Sequence, residues 1–250
     1  IANGDWSSDV CSSDLAYLGE FLGTMLLVLL GDGVCANVNL NKSNFKNGGL
    51  VIVTIGWGMA VLLPAACFSG ICAASYNPAL TIALCIGGSL PWSQCIGYII
   101  AEMVGGIIGG ILVWICFKPQ FDATADEPGT MLGVFCTAPG VRNIPYNILQ
   151  EAFATFWLVF AILAFPNCGV VDGGVSKFFV FAIIVSCGMS FGGLTGYAMN
   201  PARDIGPRIA HAILPIKGKG SSDWGYAIVP ILGPIIGAIV AVLLYMVIPW

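Results

Sequence analysis

The chain has 250 residues, 58% of them hydrophobic and only 9% charged, and its formal net charge is −4. Ordinary soluble domains carry roughly 25% charged residues, so this composition excludes a water-soluble globular protein. The acidic balance also argues against a nucleic-acid partner and against a polybasic lipid anchor.

Residues 1–14 lack the basic start and apolar stretch of a signal peptide and match nothing that follows. They are expected to be a non-native segment and are set aside in reading the fold. The first candidate span covers residues 15–38 and the second 48–68. Next comes an apolar element too short to cross a bilayer, opening at Asn77-Pro78-Ala79 and running to Gly87. Asn is a favoured N-cap, and Pro suits the first helical turn, where its missing N–H costs nothing. Eleven residues make roughly 16 Å of helix, about half of a ~30 Å hydrocarbon core. A third span covers 92–117, and a polar connection of residues 118–143 follows.

The pattern then repeats: spans at 145–166 and 174–194, a short helix over 200–213 opening at Asn200-Pro201-Ala202, and a last span at 224–248. The apolar runs are continuous and around 20 residues long, which favours helices over the alternating strands of a barrel. The first spans of the two halves echo each other, each placing Glu four residues before Thr: Glu20 and Thr24, Glu151 and Thr155. The expected architecture is an all-α membrane protein with a first repeat at 15–117, a connection at 118–144 and a second repeat at 145–250. Three spans per half invert the second copy, so the two half-helices enter from opposite faces and point to a site between the halves. Gly105, Gly106, Gly109 and Gly110 suit close helix packing, within one subunit or between subunits.

Charge does not fix the orientation. With both termini cytoplasmic, Lys177 alone would lie inside, against Lys42, Lys46, Lys118, Arg142, Lys217 and Lys219 outside. That bias argues for the opposite topology. Of the ten cysteines, Cys35, Cys67, Cys85, Cys95, Cys116 and Cys187 lie in apolar helices without metal-ligand spacing. They read as small packing residues. The single histidine, His211, reads as structural; neither a metal nor a cofactor is expected. No nucleophile, base or metal cluster suggests an enzyme, and no catalytic residue is assigned.

Two half-helices meeting N-terminus to N-terminus would place about +0.5 charge each near the midplane, opposing cations. If each Asn oxygen is used by its own capping turn, its amide nitrogen can donate to a permeant oxygen. Irregular backbone over about 69–76 and 193–199 must line an aqueous path, since its carbonyls cannot face lipid. Arg203 follows the second triplet inside the membrane, where a charge is costly and usually functional.

The paired triplets, Glu20 and Glu151, and the run from Gly196 to Asp204 resemble the major intrinsic protein family, the aquaporins and glycerol facilitators, over about residues 15–249. The resemblance implies a passive channel with Asn77 and Asn200 at a central constriction. By spacing, it implies a selectivity filter of Trp57, Gly188, Tyr197 and Arg203. Gly188 stands where water-selective members typically have His. Asp204 and Pro230-Ile231 also match the glycerol-conducting branch. Two aromatic faces would hold a carbon chain while Arg203 and backbone carbonyls hold its hydroxyls. Glu20 and Glu151 would support the carbonyl ladder, and Asp204 would shape the loop around Arg203. Ser75 replaces the usual His two residues before the first triplet, so altered hydrogen bonding is expected there. Glu102 replaces a usual amide; neither it nor Asp32 receives a role.

The implied permeants are glycerol, other small neutral solutes and water, and protons and ions are excluded. The implied assembly is a homotetramer in a lipid bilayer, as a multi-pass protein of a bacterial plasma membrane. A water-selective aquaporin and an ion-coupled secondary transporter, which also uses inverted repeats and broken helices, stay open as alternatives.

Overall fold

The computed structural model describes residues 11–167 and 174–250. Ten α-helices are described: α1 (Cys11–Asn39), α2 (Leu50–Phe68), α3 (Pro78–Ile86), α4 (Trp92–Cys116), α5 (Lys118–Asp122), α6 (Pro128–Phe135), α7 (Ile144–Ala164), α8 (Gly174–Thr195), α9 (Pro201–Ile213) and α10 (Val229–Val247). Six of them, α1, α2, α4, α7, α8 and α10, are long and apolar enough to cross a membrane. α3 and α9 are the two half-helices. Most of the segment set aside at the N-terminus, residues 1–10, lies outside the described residues, whereas residues 11–14 form the first turn of α1.

The packing has a twofold logic. α1 packs on α4 and on α2 as α7 packs on α10 and on α8. Each half-helix lies chiefly against the third span of the opposite half, α3 on α10 and α9 on α4, so the halves interlock. Glycines permit this close approach. A Cβ at Gly105 would lie 2.4 Å from the Phe21 carbonyl oxygen, and one at Gly106 would lie 2.6 Å from that of Ala202. One face of α4 thus receives α1 and the next face receives α9, so these glycines serve contacts inside the chain. Large apolar side chains such as Ile96, Ile100, Phe153, Trp157, Val240 and Leu243 remain exposed on the outer surface, as a lipid-facing belt requires.

Three expectations need correction. The sixth span begins at Val229 and not at residue 224, because residues 224–228 form a turn. The connection between the halves is not simply a polar loop. It contains α5 and α6, and α6 buries Met131, Val134 and Phe135 in a cluster with Leu40, Ala210 and Leu214. Cys35, Cys85, Cys95 and Cys187 are buried as expected, whereas Cys67 and Cys116 are exposed on the surface of the chain.

Candidate functional site

The segments that precede the two half-helices share one backbone solution. Ala74 and Tyr76 take positive φ values of 53° and 48°, and Tyr197 and Met199 take 41° and 50°. These residues stand three and one positions before their respective Asn. A left-handed conformation costs a non-glycine residue about 1 kcal/mol or more, so something must hold each segment.

A buried carboxylate from the opening span of each half supplies that hold. Glu20 accepts from Ser75 N at 3.1 Å and Tyr76 N at 2.7 Å, and Glu151 accepts from Ala198 N and Met199 N, both at 2.9 Å. Thr24 and Thr155, one turn further on, each donate to the backbone oxygen of their Glu at 2.8 Å.

Asn77 and Asn200 are both N-caps, as their local sequence demands. Asn77 Oδ1 accepts from Ala79 N at 3.0 Å; Asn200 Oδ1 accepts from Ala202 N at 2.9 Å and Arg203 N at 3.2 Å. Sequence reasoning missed what their amide nitrogens do. Asn77 Nδ2 donates to Met199 O at 2.9 Å, and Asn200 Nδ2 donates to Tyr76 O at 2.7 Å. The two half-helix tips are therefore stitched together, each Asn bonded to the opposite loop. An amide nitrogen carries two hydrogens, so one remains on each, and both residues line a cavity.

That cavity, of about 250 Å³, reaches from Lys177 and Leu84 past Asn77 and Asn200 to Trp57, Tyr197 and Arg203. A second, of about 550 Å³, opens from the same three residues toward Asn39, Asn47 and Leu50. The two spaces meet at this ring. Leu27, Val61, Leu158 and Ile184 line the inner space together with Asn77 and Asn200. The guanidinium carbon of Arg203 lies 3.9 Å from the centroid of the Trp57 ring, a cation–π contact that orients both groups. Trp57 Nε1 donates to Cys35 Sγ at 3.4 Å.

Three of the four expected filter residues thus come together at the ring. Gly188 does not line either space. A Cβ there would lie 2.9 Å from Cζ of Tyr197 and 2.6 Å from Thr54 Cγ2, so the space a side chain would fill is taken by the tyrosine ring. Gly188 therefore sits behind the Tyr197 ring and leaves it room. Pro230 and Ile231 also line neither cavity.

Asp204 holds more than the sequence indicated. It accepts from Thr137 N at 2.8 Å, Thr137 Oγ1 at 2.7 Å and Arg208 Nε at 2.9 Å. Arg208, which sequence reasoning overlooked, is fully buried and also donates to Ser222 O, Asp223 O and Thr137 O. The i,i+4 spacing of Asp204 and Arg208 on a helix could have revealed the pair. Together they tie α9 to the connection between the halves and to the segment before α10, and Thr137, held by Asp204, packs against Gly196 of the loop before Asn200.

Ser75, where altered hydrogen bonding was expected, meets Glu102, which the sequence left without a role, at the other loop. Ser75 Oγ lies 3.2 Å from Glu20 Oε2, 2.9 Å from Glu102 Oε1 and 2.8 Å from Thr81 Oγ1, and Thr81 donates to Glu102 Oε1 at 2.6 Å. His211 packs its ring 5.4 Å from that of Phe135 and bonds Ser222 Oγ through Nδ1 at 2.9 Å, in keeping with a structural role.

The family model described as major intrinsic protein matches residues 8–245. Glycerol uptake facilitator protein 3 of Lactiplantibacillus plantarum is 48% identical over 94% of this chain and 97% of its own. The glycerol uptake facilitator protein of Bacillus subtilis is 49% identical over 89% of this chain and 80% of its own. Among solved structures, the aquaglyceroporin from Plasmodium falciparum superposes with a TM-score of 0.83 at 25% identity, covering 94% of this chain and 96% of that one.

Proposed function

Since the chain belongs to the major intrinsic protein family, we propose that it is a passive transmembrane channel that conducts glycerol and other small neutral solutes, and water, across a bacterial plasma membrane. The observation that carries this reading is the ring of Trp57, Tyr197 and Arg203 at the junction of two cavities, with the stitched Asn77 and Asn200 just inside it. A triol has a carbon edge and a hydroxyl edge. Two aromatic faces suit the first, and a guanidinium with left-handed backbone carbonyls suits the second. A smooth, mostly apolar inner wall binds such a solute weakly enough to let it leave.

Ion exclusion follows from the helix ends. The N-termini of α3 and α9 point at the lumen, each with about half a positive charge. A water that accepts from both Asn amides must turn its hydrogens away from them, which interrupts a proton-conducting chain. These roles of Asn77, Asn200, Trp57, Tyr197 and Arg203, the support by Glu20 and Glu151, and the division into repeats at 15–117 and 145–250 are parts of the proposal. So is a homotetramer in which each protomer has its own pore, a state to be measured as the mass of the detergent-solubilised protein.

Stopped-flow light scattering on proteoliposomes tests the reading. Glycerol influx that does not saturate and needs no ion gradient is expected. Flux that requires Na⁺ or H⁺ would indicate a coupled transporter, and fast water flux with glycerol excluded would indicate a water pore.

A further inference from the structure

We propose that Asp32 is the buried counter-ion of Arg203 and a positioning residue for the outer constriction, an inference that rests on the channel reading above. Asp32 is fully buried near the end of α1, and neither of its carboxylate oxygens has a hydrogen-bond partner among the described residues. A buried carboxylate needs a cation or several donors, because desolvation is otherwise uncompensated. Arg208 is not available, being consumed by Asp204, Thr137 and the carbonyls of Ser222 and Asp223.

Arg203 is the cation that faces Asp32. Its Nη1 is buried, lacks a hydrogen-bond partner among the described residues, and lies 3.9 Å from Asp32 Oδ1. Asp204, although adjacent in sequence, does not serve Arg203, since Thr137 and Arg208 occupy it.

The surroundings make this a built seat. A five-residue stretch of α1, Gly31 to Cys35, carries three features. A Cβ at Gly31 would lie 2.3 Å from the Trp57 ring, so glycine leaves room for the indole. Cys35 accepts the indole N–H, and Asp32, three residues before Cys35 and hence on the same helix face, meets the guanidinium. The Trp57 ring fixes the plane of Arg203 and Asp32 fixes its edge. Charge compensation also changes what the ring discriminates. With Asp32 ionised, the outer ring is close to neutral and sorts solutes by hydrogen bonding, leaving ion exclusion chiefly to the two half-helix ends.

A double-mutant cycle tests this on the full chain: wild type, D32N, R203Q and D32N/R203Q, each measured for thermal unfolding in detergent and, in proteoliposomes, for glycerol influx and nitrate permeability. D32N is expected to lower glycerol influx at least about threefold and to raise the ratio of nitrate to glycerol permeability, with R203Q and D32N strongly non-additive. The double variant is expected to unfold at a higher temperature than R203Q alone, because it no longer buries a lone carboxylate. If D32N cannot be recovered folded, recovery of D32N/R203Q supports the pairing and its failure opposes it. Additive effects in the cycle, or a D32N variant indistinguishable from wild type, would overturn the inference. Absence of glycerol influx in the wild type would instead overturn the channel reading, while the unfolding cycle would still decide the pairing.

Discussion

The two loops that lead into α3 and α9 have nearly the same skeleton and different surroundings. In both, residues three and one before the Asn are left-handed, and in both a buried Glu takes the N–H groups two and one before it. Around the first loop, polar groups are carboxylates and hydroxyls: Glu20, Glu102, Ser75 and Thr81. Around the second, Thr195 donates to Glu151 at 2.5 Å, and Arg203 follows the cap to face Trp57. The half-helices differ too, nine residues in α3 against 13 in α9. The shared skeleton holds a strained backbone and a pair of helix ends at one point. The differences put a guanidinium against an indole ring at the second loop only.

Removing the support is expected to have the largest effect, and unequally at the two loops. Glu151→Ala strands two buried backbone N–H groups and the Thr195 hydroxyl, at about 1–3 kcal/mol each. It should abolish glycerol flux and lower the unfolding temperature. Glu20→Ala strands two N–H groups but also relieves crowding with Glu102, so its loss of stability should be smaller. Equal losses, measured by thermal unfolding, would mean that the surroundings of the loops do not matter.

Gly188→Ala comes next. The added methyl meets Thr54 and the Tyr197 ring, and overpacking typically costs about 1–3 kcal/mol. Displacement of the ring should reduce glycerol flux more than water flux, and equal reduction would remove Tyr197 from the constriction. Asn77→Ala should then cost about 1 kcal/mol for the lost cap, plus the bond to Met199. A leak of small cations, read as current in planar bilayers, is the expected symptom.

Ser75→Ala should have the smallest effect, about 1 kcal/mol, with little change in solute preference, because the first loop lies away from the ring. A change in the ratio of glycerol to water flux would place discrimination at both loops.

Local signals account for what the sequence made legible. A cap such as Asn77-Pro78 acts within one turn, and long apolar runs declare their own spans, so six spans and two half-helices could be read directly. α5 and α6 could not, because α6 is stable by burying Met131, Val134 and Phe135 against residues far away in the chain. The amide stitches join residues 122 and 124 apart, a separation that no local pattern encodes. Spacing brought Gly188 to the right neighbourhood but could not say that its contribution is the space it cedes to Tyr197. Asp32 stayed silent because its partner lies in the other half of the chain.

A crystal structure grown with glycerol tests the central claim most directly. The account predicts a glycerol between Trp57 and Tyr197 with its carbon edge on the rings and hydroxyls on Arg203, and Asn77 and Asn200 each bonded to the opposite loop. Glycerol absent from that ring, or Asn amides parted from Met199 and Tyr76 by a dry, closed core, would contradict it.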